Sequence, residues 1–159
     1  MIPLHTSQLI PLDPANPIHV RAIAEIWNVA CGDELAITEH FAAHNLRPAP
    51  GMTQQGWLVV DDNWAQGFVM ASYLDGYPAV AAPTHGWIDA LAVAPAAQRQ
   101  GLGSRLLAAA ETWLGRHGRT HIAVGSSLRV FAPGVPVELN SGTFFLRHGY
   151  TDADAAGNP

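Results

Sequence analysis

The spacing of apolar positions changes several times along the 159 residues, and each change marks an element. Weak alternation over residues 4–12 predicts an opening strand. After the turn-like stretch Asp13 to Pro17, apolar residues recur at helical spacing from Ile18 to Ala30, with Ile18, Ala22, Ile26 and Val29 on one face. A short second helix is predicted from Thr38 to Leu46, with the Thr38 hydroxyl as its N-cap, and Arg47-Pro-Ala-Pro-Gly51 ends it. The period then shortens. Trp57 to Val60 and Ala65 to Tyr73 read as two strands, joined through the tight turn Asp61-Asp62-Asn63 into a hairpin. A loop follows from Asp75 to Pro83.

Trp87 to Val93 is apolar except for Asp89 and reads as a central strand covered on both faces. Ser104 to His117 is the best specified helix. Leu106, Ala110, Trp113 and Leu114 form its apolar stripe, Arg116, His117 and Arg119 load its C-terminal end, and Gly118 stops it. Residues 120–125 read as a strand, 126–137 as irregular, and Asn140 to His148 as a last short helix closed by Gly149. No internal repeat stands out. Strands interleaved with helices predict one α/β (α+β) domain over residues 1–159, built on a mixed, mostly antiparallel sheet.

Composition narrows the class. Hydrophobic residues make up 48% and charged residues 13%, too apolar a balance for a disordered chain. No apolar run approaches the roughly 18 residues of a membrane span. The start, MIPLHTSQLIPLD, shows no basic region ahead of an apolar one, so neither a leader peptide nor a membrane partner is expected, and a cytoplasmic location is. The formal charge is −5 and all eight basic residues are arginine; no basic patch points to nucleic acid. The single cysteine, Cys31, reads as a small side chain near a helix end, or as a nucleophile only if the fold supplies a base. The eight histidines show no metal spacing: Gly118 separates His117 from His121.

The chemistry concentrates in Gln98-Arg99-Gln100-Gly101-Leu102-Gly103-Ser104. Gly101 and Gly103 allow the backbone to approach a ligand without a Cβ in the way. The N–H groups opening the next helix, backed by its dipole, favour an anion such as phosphate, and Ser104 offers an N-cap hydroxyl. A P-loop is excluded because the chain has no lysine. A dinucleotide fingerprint is excluded because Leu106 stands where its third glycine belongs and residues 94–100 separate the strand from Gly101.

Val93-Ala-Pro95 followed by Gln98-x-x-Gly101-x-Gly103 and an amphipathic helix resembles the GNAT N-acetyltransferase superfamily, whose strand ends V-x-P before Q/R-x-x-G-x-G/A. The element order resembles it too, as does the ending Phe144-Phe145-x-x-x-Gly149-Tyr150, so the likeness covers nearly the whole chain. The resemblance implies acetyl-CoA as co-substrate. Its pyrophosphate would lie on Gln98, Arg99, Gln100, Gly101, Leu102, Gly103 and Ser104, and its pantetheine arm along the backbone of Leu91, Ala92 and Val93, where the following strand splays away. Arg99 and Arg105 could meet its phosphates or be plain solvated charges. The acceptor would be a primary amine of a small molecule or peptide, attacking in a ternary complex. Asp89 stands where the family often has a carboxylate that takes the amine proton, although a structural aspartate fits the same position; a backbone N–H near Val93 would hold the oxyanion. Two positions depart from the pattern. Phe145 replaces the usual acid, a tyrosine, leaving Tyr150 or Tyr73 as substitutes if the fold brings them close. Glu138 stands where an asparagine is usual, with Asn140 two residues on.

Phe131-Ala-Pro-Gly-Val-Pro136 is similar to a segment found in a subgroup that includes tandem-domain members. The polar TDADAAGNP after Tyr150 stands where a last strand is usual, so the sheet is expected to lack that strand, to be cut short, or to be completed by a second copy in a homodimer. A non-catalytic acyl-CoA-binding module, or half of a tandem protein, is the alternative to an enzyme; a nucleotide-binding regulatory domain is a third.

Overall fold

The computed structural model describes residues 7–131 and 141–151. The expected strand start at 4–6, most of the proline-glycine segment, Glu138, Asn140 and the tail from 152 lie outside them.

Among the described residues, five strands form one sheet in the order β1-β2-β3-β4-β5: β1 Gln8–Pro11, β2 Met52–Asp61, β3 Trp64–Leu74, β4 His85–Val93 and β5 His121–Val124. Every pairing is antiparallel except β4 with β5, which helix α3 (Leu102–Arg116) joins by a crossover. The expected hairpin forms with longer arms than the sequence suggests. Its turn residues Asp62 and Asn63 take φ of +46° and +68°, the left-handed pair that matches the twist of the flanking strands.

Helices α1 (Pro17–Cys31) and α2 (Glu39–Asn45) cover one face of the sheet. Asn16 Oδ1 accepts from Ile18 N at 2.9 Å to start α1, and Thr38 Oγ1 accepts from Phe41 N at 3.0 Å to start α2. The buried stripe of α1 differs from the expected one. Val20, Ile23, Ala24, Ile26 and Trp27 pack on Leu58, Phe68 and Met70, while Ile18 and Val29 are 73% and 67% exposed. Two apolar stripes compete on this helix, and the wider one, containing Trp27, takes the sheet. Helix α3 covers the other face, setting Leu106, Leu107, Ala110 and Leu114 against Val59, Val69 and Ile88. Helix α4 (Ser141–Arg147) adds Phe145 to that layer.

Helix α3 starts at Leu102, not at Ser104, and its cap is Gly101 at φ +80° without a side-chain bond. Only glycine takes that conformation cheaply, so the helix begins as soon as it is reached. Arg119, expected to load the C-terminal end of this helix, follows it and is 6% exposed: its guanidinium lies 4.4 Å from the Tyr73 ring and bonds Asp75 at 2.5 Å, tying the 75–84 loop to the sheet.

Substitution Ile23→Ala should cost ~2–5 kcal/mol in urea unfolding, whereas Ile18→Ala should stay within ~0.5 kcal/mol. The reverse order would show that the face assigned to α1 is wrong.

Candidate active site

Two events in β4 shape the site. The first is a bulge. Met70 pairs with Ala90 and Ala71 with Ile88, so Asp89 is the extra residue. The bulge changes the phase of the strand. Ile88 packs in the α3 layer and Ala90 in the α1/α2 layer, and Asp89 joins Ala90 there, with its carboxylate beside Gln54 and Ser72. The second event is a parting. The pairing of β5 with β4 ends at Ile88–Val124, with one more bond from Gly125 N to Ile88 O at 3.0 Å. Beyond it, among the described residues, Leu91 to Val93 have a strand on one side only, β3.

Antiparallel alternation sets which backbone groups are free there. Ala94 N bonds Gln66 O at 2.8 Å, so the neighbouring Val93–Gly67 pair is of the non-bonded kind, as is Leu91–Val69 two residues on. Leu91 and Val93 therefore turn N–H and C=O outward, while those of Ala92 face β3. The Val93 carbonyl is taken by Gln98 Nε2 at 2.9 Å, which leaves the Val93 N–H as an outward donor.

The strand leads through a single 3-10 turn, Pro95–Ala97, to Arg99 at φ +63° and Gly101 at φ +80°. The first bond within α3 runs from Arg105 N to Gly101 O, so the N–H groups of Leu102, Gly103 and Ser104 project beyond the helix end. They open on a cleft of about 570 Å³. Leu91, Ala92, Val93, Gln98, Arg99, Gly101, Leu102, Gly103 and Ser104 border it; Gln100 does not. The two glycines serve different ends. Gly101 needs its backbone angle, whereas a Cβ on Gly103 would stand 3.2 Å from the Phe144 ring of α4.

The sequence reading missed the rest of the wall: Ala30 and Cys31 at the end of α1, and Thr143, Phe144 and Arg147 on α4. Nothing in their local pattern marks them, because only packing brings α1 and α4 to the turn. The second arginine of the cleft is Arg147, not Arg105. Arg105 Nη1 instead bonds Ser7 Oγ at 2.7 Å, on the far side of the helix. Two arginines and no carboxylate among the described lining residues give this part of the cleft an anion-binding character.

Asp89 does not border the cleft. It is 3% exposed and accepts from Ser72 Oγ at 2.9 Å, from the Ser127 hydroxyl, and from Gln54 Nε2 at 3.5 Å. Ser127 belongs to a strap fixed by Phe131 N to Asp89 O at 3.4 Å, by Asn45 Nδ2 to Val130 O at 2.8 Å, and by Arg129 Nε to Arg47 O at 3.0 Å. Burial pushes the Asp89 carboxyl up to about 6 against the opposing pull of its three hydrogen bonds.

No tyrosine borders the cleft among the described residues. Phe145 does, at the position expected. Tyr73 lies under the far end of α3, stacked 5.2 Å from His117, and does not border the cleft. Tyr150 packs on Phe145 with its hydroxyl buried and unpartnered, and burial and the Glu111 charge hold its phenol above the usual range. Burial raises the Cys31 thiol to about 11, so it stays protonated at neutral pH and is no resting nucleophile. Among the described residues, no group of three or more His, Cys, Asp or Glu could hold a metal, and no helix is long and apolar enough to cross a membrane.

A sequence-family model described as the acetyltransferase (GNAT) family matches residues 20–130. The fold is similar to a GCN5-related glucosamine N-acetyltransferase region in a fungal multi-domain GH3 beta-N-acetylglucosaminidase, with TM-score 0.82 and 22% identity over 96% of this chain and 18% of that one. It is also similar to a tandem GNAT protein from the clavulanic acid biosynthesis pathway, with TM-score 0.74 and 20% identity over 94% of this chain and 45% of that one. The chain thus spans under half the length of either protein. An aminoglycoside N-acetyltransferase in complex with CoA has TM-score 0.62 and 16% identity, over 95% of this chain and 93% of that one. At these identities the likeness establishes the fold. No curated protein matches the chain.

The Asp89 environment has a measurable consequence. Between an ordinary aspartate value of ~3.9 and about 6, the folded protein keeps a proton that the unfolded chain has released. Stability conferred by Asp89 is therefore full below that window and falls as pH rises through it, by ~3 kcal/mol in total. From pH 4 to pH 7 the protein should lose about that much more unfolding free energy than its Asp89→Asn variant. Parallel curves for the two would show that Asp89 titrates normally.

Proposed function

The chain belongs to the acetyltransferase (GNAT) family, and we propose that it transfers an acetyl group from acetyl-CoA to a primary amine of a small molecule or peptide by direct attack. The observation that carries this reading is the free edge of Leu91 to Val93 running into the open N-terminus of α3 within one arginine-bearing cleft. A pantetheine amide can pair with the outward Val93 N–H and Leu91 C=O as an added strand would, which leaves the Leu91 N–H. The diphosphate then reaches the N–H groups of Leu102, Gly103 and Ser104, with Arg99 and Arg147 beside it.

The chemistry needs a neutral amine, and Asp89 is the base. Its carboxyl, raised to about 6, is ionised at neutral pH yet more basic than an exposed aspartate. Ser72 is fully buried whereas Ser127 is partly exposed, so the Ser127 hydroxyl passes the proton inward: it takes one from the ammonium and gives its own to Asp89. The amine lone pair attacks the thioester carbonyl, the oxyanion meets the outward Leu91 N–H, and the C–S bond breaks. The thiolate leaves and takes the second amine proton through solvent, which suits a cleft without a tyrosine.

A second reading, one half of a tandem protein or a non-catalytic acyl-CoA module, draws on the likeness to the tandem GNAT protein and on Phe145.

Acetyl-CoA at about 100 times its dissociation constant should stabilise the protein by about 2.7 kcal/mol, while NAD and ATP should not. Over a panel of amines, Asp89→Asn should retain that stabilisation and lose about 100-fold or more in kcat. Stabilisation without turnover on any amine would favour the binding module, and no stabilisation would remove both readings.

A further inference from the structure

We infer that His148 is a positioning residue for the cofactor diphosphate, acting through the Ser104 hydroxyl, and that cofactor binding draws a proton onto its ring. The inference rests on reading the cleft as an acyl-CoA site.

His148 follows α4 directly. Its Nδ1 lies 2.8 Å from the Phe144 carbonyl oxygen and its Nε2 lies 2.9 Å from Ser104 Oγ. A carbonyl only accepts, so Nδ1 carries a proton in either charge state of the ring. In the neutral ring Nε2 is then a bare acceptor, and the Ser104 O–H must point at it. Ser104 is in the first turn of α3 and borders the cleft where the helix N–H groups gather. With its proton directed at His148, the hydroxyl shows that cleft only oxygen lone pairs, which repel a phosphate oxygen.

Protonation of the ring reverses this without moving a heavy atom. Nε2–H donates to Ser104 Oγ, the bond to Phe144 persists, and the Ser104 O–H is released to donate into the cleft. A positive charge arrives behind it, so the new bond is charge-assisted. The Phe144 ring, 4.4 Å from the imidazole centroid, holds the ring in place and favours the cation. Imidazole is the side chain that makes this change in the neutral range.

The charged groups around His148 act in both directions. From α3 Glu111 favours the imidazolium; its own carboxyl is raised by burial and lowered by the His148 charge. Arg147 on α4 and Arg99 in the turn, which border the cleft, carry the opposing positive charge, and an anion bound there offsets it. The Tyr150 phenol stays neutral throughout. A bound diphosphate therefore tips the ring towards its charged form, and by linkage a charged ring tightens the diphosphate.

The test uses dephospho-CoA. Its diphosphate stays ionised from pH 5.5 to 8.5, and it lacks the terminal monoester whose second ionisation, near pH 6, would titrate in the same range. Titration calorimetry in two buffers of different ionisation enthalpy counts the protons taken up. Wild type should bind about tenfold more tightly at pH 5.5 than at pH 8.5, with proton uptake on binding near the middle of the range. His148→Gln and Ser104→Ala should each flatten the profile, while Glu111→Gln should keep its slope; circular dichroism confirms that each variant is folded. Binding that does not vary with pH, a slope that survives in His148→Gln, or a slope lost in Glu111→Gln alone would overturn the inference and leave the cofactor site standing. No binding of dephospho-CoA at any pH by the folded protein would remove the cofactor reading and this inference together.

Discussion

The site depends on strand β4 being held by two partners of unequal length. Its antiparallel neighbour β3 accompanies it to Val93, whereas its parallel neighbour β5 leaves after Ile88. An interior strand normally spends all its hydrogen bonds within the sheet, and an exposed edge invites pairing with another chain. Here an interior strand becomes an edge halfway along. Among the described residues, three residues of backbone paired with β3 alone stand at the head of a cleft, between the helices that cover the two faces of the sheet. The Gln98 side chain takes the Val93 carbonyl and leaves its N–H, so the polarity of the free edge is set as well as its length.

The bulge in the same strand governs the carboxylate. Alternation counted back from Leu91 and Val93 without the bulge would put Asp89 on their face, beneath α3, among Leu106, Leu107 and Leu114. An ionised carboxylate there would have no partners and a large desolvation cost. The extra residue turns Asp89 to the other face, where Ser72, Ser127 and Gln54 supply donors. Burial still dominates those bonds, so the group keeps a raised pKa together with three hydrogen bonds to its charged form. That combination suits a base that must be ionised at rest and still willing to accept a proton.

The cleft also shows how a family pattern can be kept while one of its parts is exchanged. Phe145 contributes to the layer between α3 and α4 and lends the cleft only hydrocarbon. Among the described lining residues, the side-chain O–H and S–H hydrogens are those of Ser104, Thr143 and Cys31, with the Cys31 thiol held protonated by burial. Departure of a thiolate needs less help than departure of an alkoxide, because a thiol is the stronger acid. The fold therefore loses less by this exchange than it would in a reaction that expelled an alcohol.

Much of the architecture was legible from local chemistry. Asp62-Asn63 specified a hairpin because few residues accept left-handed angles, Thr38 specified a helix start, and Gly101 with Gly103 marked a turn before a helix, since each signal acts within a few residues of itself. The α1 face was misread because Ile18 and Val29 repeat at helical spacing as well as Val20, Ile23 and Trp27 do, and the choice lay with the sheet they met. Arg119, read only as a charge near the end of α3, is buried, because Tyr73 and Asp75 reach it from distant parts of the chain. The site divides in the same way. The sequence by itself determined the turn, the helix that follows it and a carboxylate out of place in an apolar strand. Tertiary structure decided which face that carboxylate takes, that Arg147 and not Arg105 enters the cleft, and that His148 meets Ser104. Those outcomes depend on a one-residue phase shift and on helices brought together across long stretches of chain, and neither leaves a local trace.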